Sequence, residues 1–384
     1  MTTKSIIFVS GSNWEQLVGE GYRTRQGALL SAFVRSGRYC QIYVVVETGF
    51  HGECGIHTLY FENFHCEIIE ISIPNIFPKS LLHLLGIKQV KFYNRIPDNI
   101  MKRLQEDQIE FIWSYNAPLG ALLAKKISCP LFFDVIDYRI NDPNITAINK
   151  YINKKEIGIA CCLADVVTCN GEIAYQLLNP LVKNKCRLIR NGVEPERFSK
   201  LGIKVRDGVG YVGVLSLWTD FNLIEYLLQQ FPSTQFNFHG IVNNVQSQLN
   251  RLMTYPNFHW PGPILPLAVP DFIASCQVGI VPYDPTKTTR SGGDSMKVFE
   301  YLAAGTPVVS TRFQARLEQK FQGLIHISDD YAGFRNELEA CLSKDPESNW
   351  QKKAWDFVKK NSWQKRVQQI ISLADEISTG SERV

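Results

Sequence analysis

The sequence predicts an α/β protein made of two doubly wound, Rossmann-like domains. Three observations predict it. Short apolar, β-branched runs alternate with longer helical stretches, the pattern of parallel strands joined by crossover helices. That rhythm stops once and restarts at Tyr211. Between the two series lies Asn191–Gly210, with four glycines, one proline and several charges, which reads as an interdomain linker. The chain has 384 residues, 45% of them hydrophobic, enough for two cores at about 150 residues per domain.

In the first series Ser5–Val9 reads as a strand. Thr24–Ser36 follows as a helix with Leu29, Leu30, Ala32 and Phe33 on one face, and Gln41–Val46 is the next strand. Thr58–Ile73 breaks the rhythm and reads as a hairpin or strand pair. Strands are then expected at Phe111–Ser114, Leu131–Ile136, Val166–Cys169 and Arg187–Ile189. The second series places strands at Tyr211–Val214, Phe236–His239, Val278–Val281, Thr306–Ser310 and Leu324–His326. After Leu342 the chain turns helical and polar, anchored by Trp350, Trp355, Phe357 and Trp363. The expected organisation is an N-terminal domain over 1–190, a second domain over 191–350, and a helical segment over 351–384 returning to the first. Two such domains are expected to face a cleft at the carboxyl ends of their sheets, where open α/β folds take ligands.

Forty-one basic against 37 acidic side chains give a net charge of +4, too little for a nucleic-acid surface. The ten cysteines include no CxxC pair, and the seven histidines show no zinc-type spacing. No signal-peptide pattern is present, and no apolar run approaches the ~18 residues of a membrane span. The expectation is a cytoplasmic protein with reduced thiols.

Two segments invite a phosphate-binding reading. Gly208–Gly213 fits the dinucleotide fingerprint GxGxxG by letter. That fingerprint needs a strand before its first glycine and a helix opening at its last, whereas the expected strand lies inside this pattern. The match is read as coincidence. Gly213 keeps its interest, because it stands near the end of a first strand where a ligand phosphate approaches backbone. The second segment runs from Val281 to Ser310. A strand ends, a polar glycine-containing loop follows, and a helix starts near Asp294–Ser295 and closes at Gly305, the expected left-handed cap. Unpaired N–H groups at that start, around Ser295 and Met296, form an anion site with Arg290 and Lys297. Lys297 and Glu300 share one helix face. That offers a cation for a diphosphate and a carboxylate for ribose hydroxyls; the bland alternative is a capped helix with a surface ion pair.

Lys297–Ser310, KVFEYLAAGTPVVS, resembles the donor-binding motif of GT-B glycosyltransferases, the glycosyl transferases group 1 of family-4 type. Leu188–Phe198 is similar to that family's "pNGVd…F" passage into the second domain. Tyr211–Ser216 resembles its first second-domain strand and loop, and Phe238–Gly240 the next strand end. Trp363–Arg366 falls where the family's last helix crosses back. The resemblance covers the C-terminal half well and the N-terminal half only by layout. It implies a hexosyltransferase in which Glu300 binds the nucleotide ribose, while Lys297, Ser295 and Met296 with the 291–297 loop hold the diphosphate. Two features depart from it. Many members carry another glutamate eight residues before the position of Glu300, where Gly292 stands. They also carry Arg and Lys in the loop after the first second-domain strand, where Val214 and Leu217–Asp220 supply no cation.

In the first domain, Phe133–Arg139 ends a strand with two carboxylates and an arginine. Asp137, nearer the loop, is the candidate catalytic residue: the base for an acceptor hydroxyl if transfer inverts, and only an orienting group for the acceptor if it retains; otherwise Asp134 or Asp137 caps the following segment or pairs with Arg139. The loop after the first strand offers Gly11, Arg23 and Arg25 as contacts to an acceptor or donor phosphate, against solvated arginines at a helix start. From Pro78 to Arg103, six Lys and Arg interleave with leucines against one acidic residue. That segment reads either as a helix face packed on its own domain or as a peripheral contact with an anionic membrane. His239 and His259 read as packing residues.

The chain contains no DxD sequence, so the metal–diphosphate site of the other large glycosyltransferase fold is absent. No metal and no cofactor are expected beyond the nucleotide-sugar co-substrate. The function expected is sugar transfer from a nucleotide diphosphate sugar to a glycan, glycolipid or lipid-linked acceptor, metal-independent and retaining. The alternatives are a sugar-nucleotide epimerase on the same fold and a non-catalytic nucleotide-binding or scaffold homologue.

Overall fold

The computed structural model describes residues 4–12, 17, 24–47, 55–61, 64–71, 96–136, 146–198, 205–288, 295–314, 316–343 and 346–379. The chain divides into two units. The first holds Met1–Arg190 and Trp363–Val384, and the second the bulk of Asn191–Ser362.

The described elements of the first stretch are β1 (Ser5–Val9), α1 (Arg25–Arg35), β2 (Gln41–Glu47), β3 (Gly55–Phe61), β4 (Phe64–Ile71), α2 (Asp98–Glu106), β5 (Ile109–Ser114), α3 (Ala117–Ile127), β6 (Leu131–Val135), α4 (Ala147–Leu163), β7 (Val166–Cys169), α5 (Glu172–Leu178) and β8 (Cys186–Leu188). The second stretch brings β9 (Val209–Val212), α6 (Phe221–Gln230), β10 (Phe236–His239), α7 (Gln246–Leu252), β11 (Phe258–His259), α8 (Val269–Ser275), β12 (Val278–Val281), α9 (Pro285–Thr288), α10 (Met296–Ala303), β13 (Val308–Thr311), α11 (Leu317–Lys320), β14 (His326–Ser328), α12 (Tyr331–Leu342), α13 (Ser348–Lys360) and α14 (Trp363–Ser378).

The first unit's sheet has the order β3-β4-β2-β1-β5-β6-β7-β8. It is parallel except for β3, which runs antiparallel to β4 in the expected hairpin; β4 also pairs parallel with β2 and so joins the main sheet. Strands β1, β5 and β6 are buried almost throughout, as expected of strands covered on both faces. Their order reverses between β1 and β5. Gly11, just past β1, stands there beside Tyr115, whose N–H donates to the Val9 carbonyl at 3.0 Å.

The second unit's sheet is β11-β10-β9-β12-β13-β14, with every pairing parallel. Its order reverses between β9 and β12. Three expected strands shift by about two residues. The first is Val209–Val212, the fourth Val308–Thr311 and the last His326–Ser328.

The return of the chain to the first unit comes at Trp363, later than the expected residue 351. The reason is packing: Ala354, Phe357 and Val358 on α13 are buried in the second unit's core. Only α14 belongs to the first unit, where it packs on α1.

Candidate donor site

The position of α10 is set by its buried face. Val298, Phe299, Tyr301, Leu302 and Ala303 face the core, and Gly305 at φ +66° ends the helix in the left-handed conformation. Tyr301 is its anchor. Its ring fills the space that a side chain at Gly279 would occupy, 2.7 Å from an added Cβ. Its hydroxyl accepts the Val212 N–H at 3.2 Å and lies 3.4 Å from the Gly210 carbonyl. The helix is thereby pinned under β9 and β12, and its other face is aimed at their carboxyl ends.

Lys297 lies on that other face. Its side chain passes directly over Gly213, where an added Cβ would stand 2.6 Å from Nζ. Gly213 has φ +142° and Gly240 φ +149°. The Gly240 backbone lies against the Gly213 carbonyl, so both conformation and space demand glycine here. Nζ of Lys297 donates to the Tyr283 hydroxyl at 2.8 Å and lies 5.2 Å from the ring centres of Tyr211 and Tyr283. Burial alone would depress this lysine's pKa. The facing Tyr211 and Tyr283, the hydrogen bond to Tyr283 and the Glu300 carboxylate one turn on outweigh it, and the pKa lies above the ordinary lysine value. The ammonium is thus kept charged, framed by aromatic faces, at the point where the strand order reverses.

Ser295 caps this helix start without a side-chain capping bond, and its buried hydroxyl has no hydrogen-bond partner among the described residues. Met296 and Glu300 are partly exposed. The loop after β9 carries no positive charge from Val214 to Asp220 and is fastened across the β12 end instead. Asp220 N–H donates to the Pro282 carbonyl, and Asp284 N–H to the Trp218 carbonyl, each at 2.8 Å. Arg290, with Gly292 and Asp294, lies outside the described residues.

The GxGxxG match resolves as coincidence. β9 lies inside the pattern, and the next helix opens only at Phe221. His239 is a packing residue: Nδ1 is 3.3 Å from the Gly262 carbonyl, the ring stands edge-on to Phe272 at 4.6 Å, and burial lowers its pKa.

In the first unit the structure corrects the expectation for Arg25. Its guanidinium is 4% exposed and forms a two-pronged pair with Asp134, Nε to Oδ2 at 2.8 Å and Nη2 to Oδ1 at 3.2 Å. Asp134 also accepts from the Thr168 hydroxyl at 2.6 Å. A third guanidinium nitrogen donates to the Arg190 carbonyl at 3.2 Å, and the group lies 6.0 Å from the ring centre of Trp363. Arg25 is a structural residue, not a phosphate contact, because its charge is already matched in the interior. Asp134 accordingly finds its partner in Arg25. Gly11 also departs from the expectation of an open N–H, since its N–H donates to the Gln26 side chain at 2.9 Å. Asp137 and Arg23 lie outside the described residues, as do residues 78–95. The remainder of the 78–103 segment enters α2, where Ile100 and Met101 are buried in the first unit's core.

Sequence reasoning missed Tyr211, Tyr283 and Gly240. The first two are aromatic residues at or just past strand ends, but nothing local marks them as companions of a lysine.

Residues 206–344 match the family model of the glycosyl transferases group 1. The Bacillus subtilis (strain 168) protein named "Putative teichuronic acid biosynthesis glycosyltransferase TuaH" is 26% identical over 223 residues, 54% of this chain and 56% of that protein. The match therefore spans about half the length of that curated relative. Among solved structures, sucrose-phosphate synthase from Thermosynechococcus elongatus superposes with a TM-score of 0.69 at 12% identity, over 98% of this chain and 100% of the other. Anabaena HepE in complex with UDP and glucose gives 0.62 at 14% identity over 97% and 100%. An E. coli trehalose-6-phosphate structure bound with UDP-2-fluoro glucose gives 0.65 at 13% identity over 96% and 98%. These structural likenesses extend over both units. The chain has the GT-B fold, and the greater part of its second unit, residues 206–344, is similar to the glycosyl transferases group 1.

Proposed function

We propose that the protein is a glycosyltransferase that moves a sugar from a nucleotide diphosphate sugar to an acceptor hydroxyl. The observation that carries this reading is Lys297 set across Gly213, at the strand-order reversal of a unit matching the glycosyl transferases group 1. Open α/β sheets take ligands at that reversal. A diphosphate placed there meets the Lys297 ammonium and the opening N–H groups of α10 around Ser295 and Met296. Glu300, one turn on, takes the ribose hydroxyls.

In this reading Lys297 supplies from α10 the charge that the family resemblance places in the loop after β9, with Arg290 as its companion. The sugar's anomeric carbon forms a bond to the acceptor oxygen as its bond to the diphosphate oxygen breaks. Positive charge at the leaving diphosphate is the principal catalytic contribution. We adopt transfer with retention and without a metal ion. The departing diphosphate then takes the acceptor proton, and Asp137 orients the acceptor. Solved neighbours with bound UDP and UDP sugars support a nucleotide-sugar donor, and the teichuronic acid relative supports a glycan or lipid-linked acceptor.

Thermal unfolding of the protein with saturating UDP, GDP, ADP, dTDP and CMP, without added metal, tests the reading. A ligand at ~100 times its dissociation constant stabilises by about 2.7 kcal/mol, a shift of several degrees for a domain of this size. One nucleotide diphosphate is expected to produce that shift. No shift with any of them overturns the reading.

A further inference from the structure

Helix α4 carries apolar residues on two opposite faces. Its inner side is ordinary: Ala160 and Cys161 are buried in the first unit's core, and Ile157 packs against it. Half a turn away in the 3.6-residue period lie Ile148, Tyr151, Ile159 and Leu163, which are 46%, 61%, 55% and 57% exposed. These residues form one stripe along the helix, with exposed Cys162 beside it. Scattered apolar residues on a surface need no explanation, but a helix that is apolar on both sides is normally covered on both.

The charges around the stripe indicate what covers it. Beside the stripe α4 carries Lys154 and Lys155 against the single acid Glu156, and Nζ of Lys155 stands 5.3 Å from the ring centre of Tyr151. Lys185 Nζ reaches the Ala164 carbonyl at 3.5 Å. The segment holding Leu181, 69% exposed, and Lys183 therefore adjoins the carboxyl end of α4. Helix α3, which packs along α4, ends in exposed Lys125 and Lys126. Apolar and aromatic side chains interleaved with lysines of one sign suit a surface that is apolar below and anionic at its boundary. A second copy suits it poorly, because a symmetric pairing of this face would set the same lysines against each other.

We propose that the outward face of α4, through Ile148, Tyr151, Ile159 and Leu163 with Lys154 and Lys155, docks on an anionic lipid surface. This proposal is independent of the donor site and of the 78–103 segment.

The test is sedimentation of the full-length protein with vesicles of phosphatidylcholine alone or with about one third phosphatidylglycerol. The protein should pellet with the anionic vesicles only, and high salt should release it. Tyr151→Ser/Ile159→Ser/Leu163→Ser should abolish pelleting with an unchanged thermal midpoint, since all three side chains are exposed. Lys154→Gln/Lys155→Gln should lower partitioning by roughly twenty-five-fold, at about fivefold for each lysine near an anionic surface. The proposal falls if the native protein stays in the supernatant with anionic vesicles, or if the serine variant pellets as the native protein does. It also falls if light scattering shows a dimer that the serine variant dissociates while vesicle binding is unchanged, for then a second copy covers this face.

Discussion

The side chain of Lys297 lies across the backbone of Gly213, eighty-four positions earlier in the chain, so that an added Cβ at Gly213 would stand 2.6 Å from the ammonium nitrogen. The two residues come together because Tyr301 pins α10 beneath Gly279 and against β9. The glycine serves the lysine in two ways. It leaves room for the stem, and it adopts a φ of +142° that a larger residue resists.

Gly213→Ala is therefore expected to strike stability and ligand binding together. Backbone strain of this kind costs on the order of 1–3 kcal/mol, and the displaced lysine no longer stands over the end of β9. Thermal unfolding with and without nucleotide should show a lowered midpoint and a lost ligand shift. A variant with the native ligand shift would show that Lys297 does not need this position.

Arg25→Ala is expected to destabilise without touching the donor site. Removing one partner of a buried pair leaves Asp134 as an uncompensated charge, which costs about 3–5 kcal/mol. Denaturant unfolding should show the loss, and nucleotide affinity of the folded variant should be unchanged. A stability equal to the native protein's would contradict the structural role assigned to Arg25.

Glu110 gives the first unit a pH dependence. Burial alone would raise its pKa, but hydrogen bonds from Arg38 and from Lys4 outweigh burial and lower it. A carboxyl lowered on folding contributes stability above its unfolded pKa, about 4.3 for glutamate. The contribution is lost as pH falls through the lower folded value. Glu110→Gln should be less stable at neutral pH and lose less stability on acidification below about pH 4.3, as read from unfolding midpoints across the acid range. Parallel acid profiles for the two proteins would count against this assignment.

Much of the fold was legible because its signals are local. Apolar runs such as Ser5–Val9 and Val278–Val281 are strands by composition, and Gly305 closes α10 as its position predicts. Leu324 and Ile325 are buried like strand residues, yet the last strand begins only at His326, because burial marks the core and pairing marks the ladder. Within the candidate site, Lys297 and Glu300 were readable from their helical spacing. The aromatic frame of Tyr211 and Tyr283 was not, since it depends on which strands neighbour each other. Arg25 illustrates the same limit. At a helix start it reads as a solvated or ligand-facing cation, and only the fold brings it to Asp134, 109 residues away.

The central claim is that Lys297 holds the diphosphate of a nucleotide. The most direct test is titration calorimetry of the stabilising nucleotide diphosphate into the native protein and Lys297→Ala, with Lys297→Met retaining the packed stem. Loss of a charged hydrogen bond costs about 1.5–3 kcal/mol, so affinity should fall ten- to a hundredfold in both variants. Unchanged affinity in Lys297→Ala would contradict the account and move the donor site away from the end of β9.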